Sequence, residues 1–416
     1  MPDTPPKHVT VVGAGMVGLS VAWFLQEQGV QVTVLDRKGV AAGSSWGNAG
    51  WVSPGLTTPL PEPSVLRYGL RSLLRSDAPL YVPPSLDLSL ASFLLKFARR
   101  CTEREWQKAM SAYIPLNNQA LDAYQTLTSS GNSLELKSAP IMAAFKQRDQ
   151  ARDLLNELDM IRQAGQPVET TILDGRDLRA NLPQLSSEVD FGIRIDGQSY
   201  IDPGSFTTKL GASVAERGAT TIVDKEIASI RRDRGTLHVT TTKGETISSD
   251  AVVLATGAWI SRLAKPLGVR MPVQAGRGYS FLVNTTGTVP YPIYFPAVRV
   301  ACTPMGASSL RVAGTMEFRK PDFRLDPSRL ASLKRSAIPL LEGVDWASTV
   351  DEWVGPRPVT ADGMPLIGES KTPGVFIAGG HGMWGITLGP ATGRLLASQI
   401  VSGKIPLELR PFDPTR

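Results

Sequence analysis

The stretch His8-Val-Thr-Val-Val-Gly-Ala-Gly-Met-Val-Gly18, closed by Gln31-Val-Thr-Val-Leu-Asp36, decides how the rest of the chain is read. Val9, Val11 and Val12 have the composition of a short buried strand. Gly13 permits a tight turn, Gly15 lets the backbone approach a pyrophosphate, and Gly18 lets the next helix pack close. The helix runs on through Leu19, Ala22, Trp23 and Leu25 until Gly29 supplies a C-terminal stop. Its N-terminus, with the turn residues Ala14, Met16 and Val17, offers unpaired N–H groups and a positive dipole end to an anion. A glycine-rich turn alone is weak evidence. Here a strand precedes it, an amphipathic helix follows, and an acid, Asp36, closes a second strand 18 residues past Gly18. Asp36, followed by Arg37, can accept ribose hydroxyls, so FAD or NAD is favoured over NADP.

The bulk numbers set wide bounds. At 416 residues with 42% hydrophobic content the chain can bury a large core, and two domains are expected. Lys and Arg number 44 against 38 Asp and Glu, a net charge of +6 without any like-charge block, which argues against a nucleic-acid partner. The two cysteines, Cys101 and Cys302, suit neither a metal motif nor a disulfide framework, so a cytoplasmic location and no metal are expected. The apolar run from Val9 to Leu25 carries the glycine pattern of a nucleotide turn. It is also shorter than the ~20 residues of a membrane span, so it is read as neither signal peptide nor span.

The chain returns to glycine-rich strand ends at two distant places. The first is Ala251-Val-Val-Leu-Ala-Thr-Gly-Ala-Trp259, where Thr256, Gly257 and Trp259 follow an apolar strand. The second is Gly374-Val-Phe-Ile-Ala-Gly-Gly-His-Gly-Met-Trp-Gly-Ile-Thr-Leu-Gly-Pro-Ala-Thr-Gly393, read as a strand, a long glycine loop including Gly382, and a helix opening at Pro390. Amides of Gly385, Ile386, Thr387 and Leu388 can lie against a flat ring and stabilise negative charge on a reduced flavin. A nicotinamide dehydrogenase keeps its dinucleotide contacts in one contiguous domain, whereas this dispersal points to a discontinuous FAD domain. Asp202-Pro203 reads as the start of a helix that runs through Phe206, Leu210 and Val214 to Gly218.

Three further segments give the chain a family resemblance. They are Gly43-Ser-Ser-Trp-Gly-Asn-Ala-Gly-Trp-Val-Ser-Pro-Gly55, Trp353-Val-Gly-Pro-Arg-Pro-Val-Thr-Ala-Asp-Gly-Met-Pro-Leu-Ile-Gly368, and the Gly-His-Gly at 380–382. With them the chain resembles the D-amino acid oxidase and glycine oxidase superfamily of FAD amine oxidoreductases, within it most of all the bacterial D-amino acid dehydrogenases. Asp77-Ala-Pro-Leu-Tyr-Val-Pro-Pro84 and Gly276-Arg-Gly-Tyr-Ser280 extend the likeness to nearly full length. It departs from the pattern around Trp46, Trp51, Met383 and Trp384, which leaves the substrate more open than the reaction.

The resemblance implies an α/β fold: a discontinuous Rossmann-like FAD-binding domain of the glutathione-reductase type at 1–60, 196–262 and 353–416, and an α+β substrate domain with a mixed or antiparallel sheet at 61–195 and 263–352. It implies non-covalently held FAD, contacted also by Ser44, Ser45, Asn48, Ala49, Gly50 and the backbone of Ile227. Arg357 sits where the superfamily presents an arginine to the substrate carboxylate. A planar five-donor fork binds a carboxylate bidentately, which lysine does not. His381 is the second catalytic candidate, read as orienting the loop or a water rather than as a base. Tyr279, Tyr294, Met383 and Trp384 are pocket candidates, and Arg299 is a second carboxylate anchor. The reaction implied is oxidative deamination of a D-amino acid to a 2-oxo acid and ammonia, with electrons passed to a quinone or dye-type acceptor.

Arg67, Arg71 and Arg75 recur at helical spacing in Val65-Leu-Arg-Tyr-Gly-Leu-Arg-Ser-Leu-Leu-Arg75, opposite leucines, the pattern of a face that can lie on an anionic membrane. Peripheral attachment to the inner face of the cytoplasmic membrane is therefore carried as an expectation beside a simple solvated face. Two other functions stay open: an oxidase or dehydrogenase for glycine, sarcosine or hydroxyproline-type amines, and the FAD-binding subunit of a larger complex. Homo- or hetero-oligomers are compatible with either.

Overall fold

The structure is a computed structural model, describing residues 5–66, 78–84, 86–130 and 133–416. Two sheets organise it. The first has six strands, in spatial order Thr220–Ile222, Gln31–Leu35, His8–Val12, Ala251–Leu254, Val375–Gly379 and Leu366–Glu369. All neighbours are parallel except the last pair. The three apolar runs picked out in the sequence thus lie side by side, with Val9 opposite Ala251 and Val252 opposite Val375. Each is buried on both faces, as parallel strands covered by helices are.

Helix Met16–Glu27 follows the first strand through the turn at Gly13, whose φ of +116° only glycine holds without strain. At Gly18 a Cβ would stand 1.9 Å from the Gly13 carbonyl oxygen, so the close packing expected there is a steric requirement. Helix Pro203–Glu216 begins where expected. Pro203 occupies its first turn and the Asp202 carboxylate accepts from the Ser205 amide at 3.1 Å.

One helix boundary differs. The last helix runs Gly385–Ser402 and contains Pro390 in its first turns, rather than opening there. Pro390 is the sixth residue of the helix and cannot donate to the Ile386 carbonyl four residues back, which accepts from the Tyr124 hydroxyl at 2.8 Å instead, so the turn begun by Gly385 passes through it.

The second sheet has nine strands. Its main path runs Val344–Thr360, Val273–Thr285, Ser309–Phe318, Val300–Pro304, Ile293–Phe295, Ile141–Phe145, Phe191–Ile195 and Thr170–Asp174, with Leu80–Tyr81 beside Ser309–Phe318. It is mixed but mostly antiparallel. The domain boundary expected at 353 falls inside the strand Val344–Thr360, whose pairing with Val273–Thr285 continues on both sides of it. That strand leaves the second sheet carrying Arg357 and turns directly into the strands of the first.

Among the described residues no helix is long and apolar enough to cross a membrane. Arg67, Arg71 and Arg75, on which the amphipathic reading rests, lie outside the described residues.

Candidate active site

The carboxyl ends of the parallel strands open into a cavity of about 350 Å³. Gly13, Gly15, Met16 and Val17 form its floor, beside Asp36 and Arg37. Ser44, Ser45 and Asn48 line it from the loop after the second strand, and Ile227, Thr256, Gly257 and Trp259 from the middle of the chain. Arg357, His381, Gly382, Met383, Gly385 and Ile386 close its far end. Segments from both ends and the middle of the chain therefore share one concave surface, at the strand ends where parallel sheets bind ligands.

The local hydrogen bonds show how this surface is held. Asp36 accepts from the amides of Ala14 at 2.9 Å, Lys38 at 2.8 Å and Gly39 at 3.0 Å, and lines the cavity with acceptor capacity remaining on Oδ2. Ser45 accepts from the Met16 amide at 3.1 Å, and Ser44 donates to the Pro356 carbonyl at 2.5 Å. The Asn48 side-chain oxygen accepts from Gly50 at 2.9 Å. Arg37 stacks on Trp259, 4.1 Å from the ring, and both donate to Asp322, at 2.7 and 2.8 Å. Partial burial opposes ionisation of Asp322, yet these two donors hold its pKa below the usual carboxylate value.

Arg357 is partly buried and forms no ion pair among the described residues. Its Nη1 donates to the Thr315 carbonyl at 3.0 Å, and its guanidinium occupies the space over Gly278, where a Cβ would stand 2.3 Å from Nη2. Loss of water around it draws its pKa down to about 10, still protonated at neutral pH. His381 is buried, its Nε2 shares a hydrogen bond with Thr392 at 3.0 Å, and burial pulls its pKa down to about 4. A neutral imidazole tied to Thr392 holds the glycine loop, whose Gly382 amide donates to the Pro358 carbonyl at 2.9 Å. Trp384 is pinned by its indole N–H to the Thr58 carbonyl at 2.7 Å.

Several expected residues lie elsewhere. Leu388 is fully buried and its amide donates to the Trp384 carbonyl at 2.8 Å, because the helix has already begun at Gly385; that amide is spent. The Thr387 hydroxyl ties to Trp51 and Ser53 instead of lining the cavity. Gly18, Ala49 and Gly50 lie behind its wall; Gly50, at φ +80°, abuts the Ile201 carbonyl. Tyr279 is the clearest correction among the pocket candidates. It faces the other side of its sheet from Gly278 and Arg357, and donates to the buried Glu317 at 2.6 Å. That glutamate also meets Arg277 at 3.1 Å and Arg319 at 3.2 Å. Tyr294 and Arg299 sit together under a different part of the same sheet. Cavity residues that went unnoticed in the sequence include Ala42, Lys225, Ser261 and Arg262; the first two flank stretches already singled out.

The site fits a flavin dinucleotide on its own terms. Thr256 Oγ1 is buried on the cavity wall with no hydrogen-bond partner among the described residues, and the glycine floor leaves the first-turn amides of helix Met16–Glu27 without intrahelical acceptors.

A dinucleotide cleft roofed by a sheet that lowers an arginine into it defines a two-sheet oxidoreductase class. The chain belongs to the FAD dependent oxidoreductase (DAO) family, whose profile matches residues 8–399. It is 32% identical over 409 residues to the D-amino acid dehydrogenase of Methylobacterium radiotolerans, covering 96% of each chain. The D-amino acid dehydrogenase of Phenylobacterium zucineum is 32% identical over 405 residues, covering 94% of this chain and 93% of that one. Among solved structures, glycine oxidase from Geobacillus kaustophilus superposes with a TM-score of 0.77 at 23% identity, over 99% of this chain and 98% of that one. The protein is thus an FAD-dependent oxidoreductase, and the superfamily resemblance drawn from its motifs holds.

Proposed function

We propose that the protein oxidatively deaminates D-amino acids to 2-oxo acids and ammonia, passing the electrons to a quinone or dye-type acceptor. The observation that carries this reading is Arg357: a charged guanidinium at the cavity end, without an acidic partner among the described residues, in a chain similar to D-amino acid dehydrogenases. A cation so placed is stabilised by an anion from solution, and a carboxylate matches its fork.

Bound in the cleft, FAD supplies the two-electron acceptor for the α-hydrogen. Gly13, Gly15, Met16 and Val17, with Ser45 and Thr256, hold its phosphates and ribose, while Asp36 fixes the turn that presents them through its bond to the Ala14 amide. The amides of Gly385 and Ile386 face the ring, beside Asn48. Arg357 receives the substrate carboxylate and thereby fixes the direction of the Cα–H bond. His381, neutral and bonded to Thr392, keeps the loop in place and takes up no proton; the amino group enters uncharged and its lone pair drives imine formation. Met383 and Trp384 wall the substrate side. The FAD-binding part comprises 1–60, 196–262 and 353–416, and the rest roofs the substrate. A quinone acceptor goes with a peripheral position on the inner face of the cytoplasmic membrane, for which the Arg67, Arg71 and Arg75 spacing is the support.

The test is anaerobic addition of separate D- and L-amino acid pools to the purified, FAD-loaded chain, following the visible flavin band. Bleaching by the D-pool with slow recovery in air is expected. A band that neither pool reduces overturns the reading in favour of secondary amines or a missing subunit.

A further inference from the structure

The ladder between strands Val273–Thr285 and Ser309–Phe318 is broken at one point beside Arg357. Arg277 pairs with Glu317 and Tyr279 with Gly314, which leaves Gly278 alone on one strand opposite Thr315 and Met316 on the other. Two residues against one make a β-bulge. Thr315 takes a φ of +58° in it. A left-handed backbone is a genuine outlier for a β-branched residue, and such strain persists only where the surroundings impose it. The Thr315 side chain does not account for it, since Oγ1 is buried with no hydrogen-bond partner among the described residues. The Thr315 carbonyl is engaged: it accepts from Arg357 Nη1 at 3.0 Å, where the guanidinium lies over Gly278.

What imposes the strain lies on the opposite face of the sheet. Glu317 stands on one flank of the bulge and Tyr279 on the other, and the Tyr279 hydroxyl donates to Glu317 Oε1 at 2.6 Å. That bond runs diagonally across the bulge. Diagonal neighbours of an antiparallel pair are about 7–8 Å apart, a gap that a tyrosine and a glutamate together can span. The same carboxylate meets Arg277 at 3.1 Å and Arg319 at 3.2 Å, and neither Glu317 nor Arg277 has any exposed surface. Beyond Tyr279, Gly314 lets helix Pro327–Ala337 approach: a Cβ there would stand 2.7 Å from Leu333 and 2.8 Å from the Arg299 carbonyl. A fully buried ion pair adds little net stability over an apolar pair of the same volume, so the geometry it fixes accounts better for its presence.

We propose that Tyr279 and Glu317 are positioning residues for the substrate carboxylate, acting from the far face of the sheet through Thr315 on Arg357. Their bond across the bulge keeps Thr315 left-handed, and the Thr315 carbonyl holds one edge of the guanidinium, leaving its other N–H groups for the cavity that Arg357 lines. The inference rests on the proposed function, since it assigns the device to the arginine that receives the carboxylate. Neither residue touches substrate. Without the staple the bulge relaxes toward ordinary extended backbone, the carbonyl turns away, and the guanidinium is free to rotate. A displacement of about 1 Å in such an anchor is enough to cost about 10²-fold in rate.

The test is Tyr279→Phe in the FAD-loaded full chain, assayed with a dye acceptor. The substrates are the D-amino acid that bleaches the flavin fastest and the primary amide of that amino acid, which has no carboxylate for Arg357. For the acid, kcat/KM is expected to fall about tenfold, mostly through KM; for the amide it changes by less than about twofold, with FAD content unchanged. Adding Thr315→Gly should restore the acid rate, because glycine takes a positive φ without being held in it. Equal losses on acid and amide, no loss on either, or no rescue by Thr315→Gly overturns the positioning role and leaves the deamination reading intact. If Tyr279→Phe does not fold, Thr315→Gly alone decides. Acid kinetics within about twofold of wild type support the backbone as the holding element, whereas a tenfold loss at unchanged Tm assigns the hold to the threonine side chain and overturns the proposal. Failure of every D-amino acid to bleach the unaltered flavoprotein overturns both readings.

Discussion

The guanidinium of Arg357 lies over Gly278, in the space that a Cβ at that position would fill, and is tethered there by its bond to the Thr315 carbonyl. The strand pairing that sets Gly278 opposite Gly355 thereby positions the guanidinium at the far end of the cleft. Its orientation depends on the absence of a neighbouring side chain as much as on a hydrogen bond.

Gly278→Ala is therefore expected to displace the guanidinium and cut kcat/KM about tenfold or more, with little change in Tm. The obstruction falls on the far end of a flexible side chain, and the glycine has ordinary strand geometry, so the fold can absorb it. Steady-state kinetics paired with a melting curve checks this; a large fall in Tm would assign the glycine to packing instead.

Replacing Arg357 itself separates charge from geometry. Arg357→Lys keeps the charge but loses the fork and the reach to Thr315, and a fall in kcat/KM of about 10²-fold is expected, with KM rising and FAD content unchanged. Wild-type kinetics in this variant would remove Arg357 from the substrate site.

His381 carries a pH signature. Its folded pKa of about 4 lies below the 6.5 of an unperturbed imidazole, so between those values the unfolded chain binds the additional proton. Stability should rise as pH increases through that window, by about 3 kcal/mol, and be complete above it. Denaturant titrations across the window in wild type and His381→Gln check the sign: the variant should lose the slope contributed by this residue. The same burial predicts that no ionisation of His381 appears in the neutral limb of the kcat/KM profile.

Asp322 reaches from the loop after the strand Ser309–Phe318 to clasp Arg37 and Trp259 at the cavity mouth. Because the contact is substantially exposed, its contribution is small, about 0.5–1 kcal/mol. Asp322→Asn should accordingly speed FAD release by roughly two- to fivefold, read from the fluorescence of flavin freed on dilution. An unchanged rate would make the clasp a surface contact only.

The dinucleotide unit was legible in the chain because its signals are local. Strand, glycine turn, helix and acid follow one another within a single βαβ segment, and each is dictated by backbone sterics at its own position. The later glycine-rich returns were legible for the same reason, although the helix start at Gly385 was missed because the carbonyl that Pro390 leaves unpaired is taken by Tyr124, from a helix far away in sequence. The substrate end was only half legible: Arg357 could be placed from its flanking motif, but Tyr279 could not be told from a pocket residue. Neighbouring positions on a strand point to opposite faces, so whether Gly278 or Tyr279 meets the cleft depends on register with strands far away in sequence. The sequence by itself therefore determined the cofactor class and the sheet that holds it. Only the tertiary structure decided which side chains share the cleft with Arg357, because those contacts are made between elements that no local pattern relates.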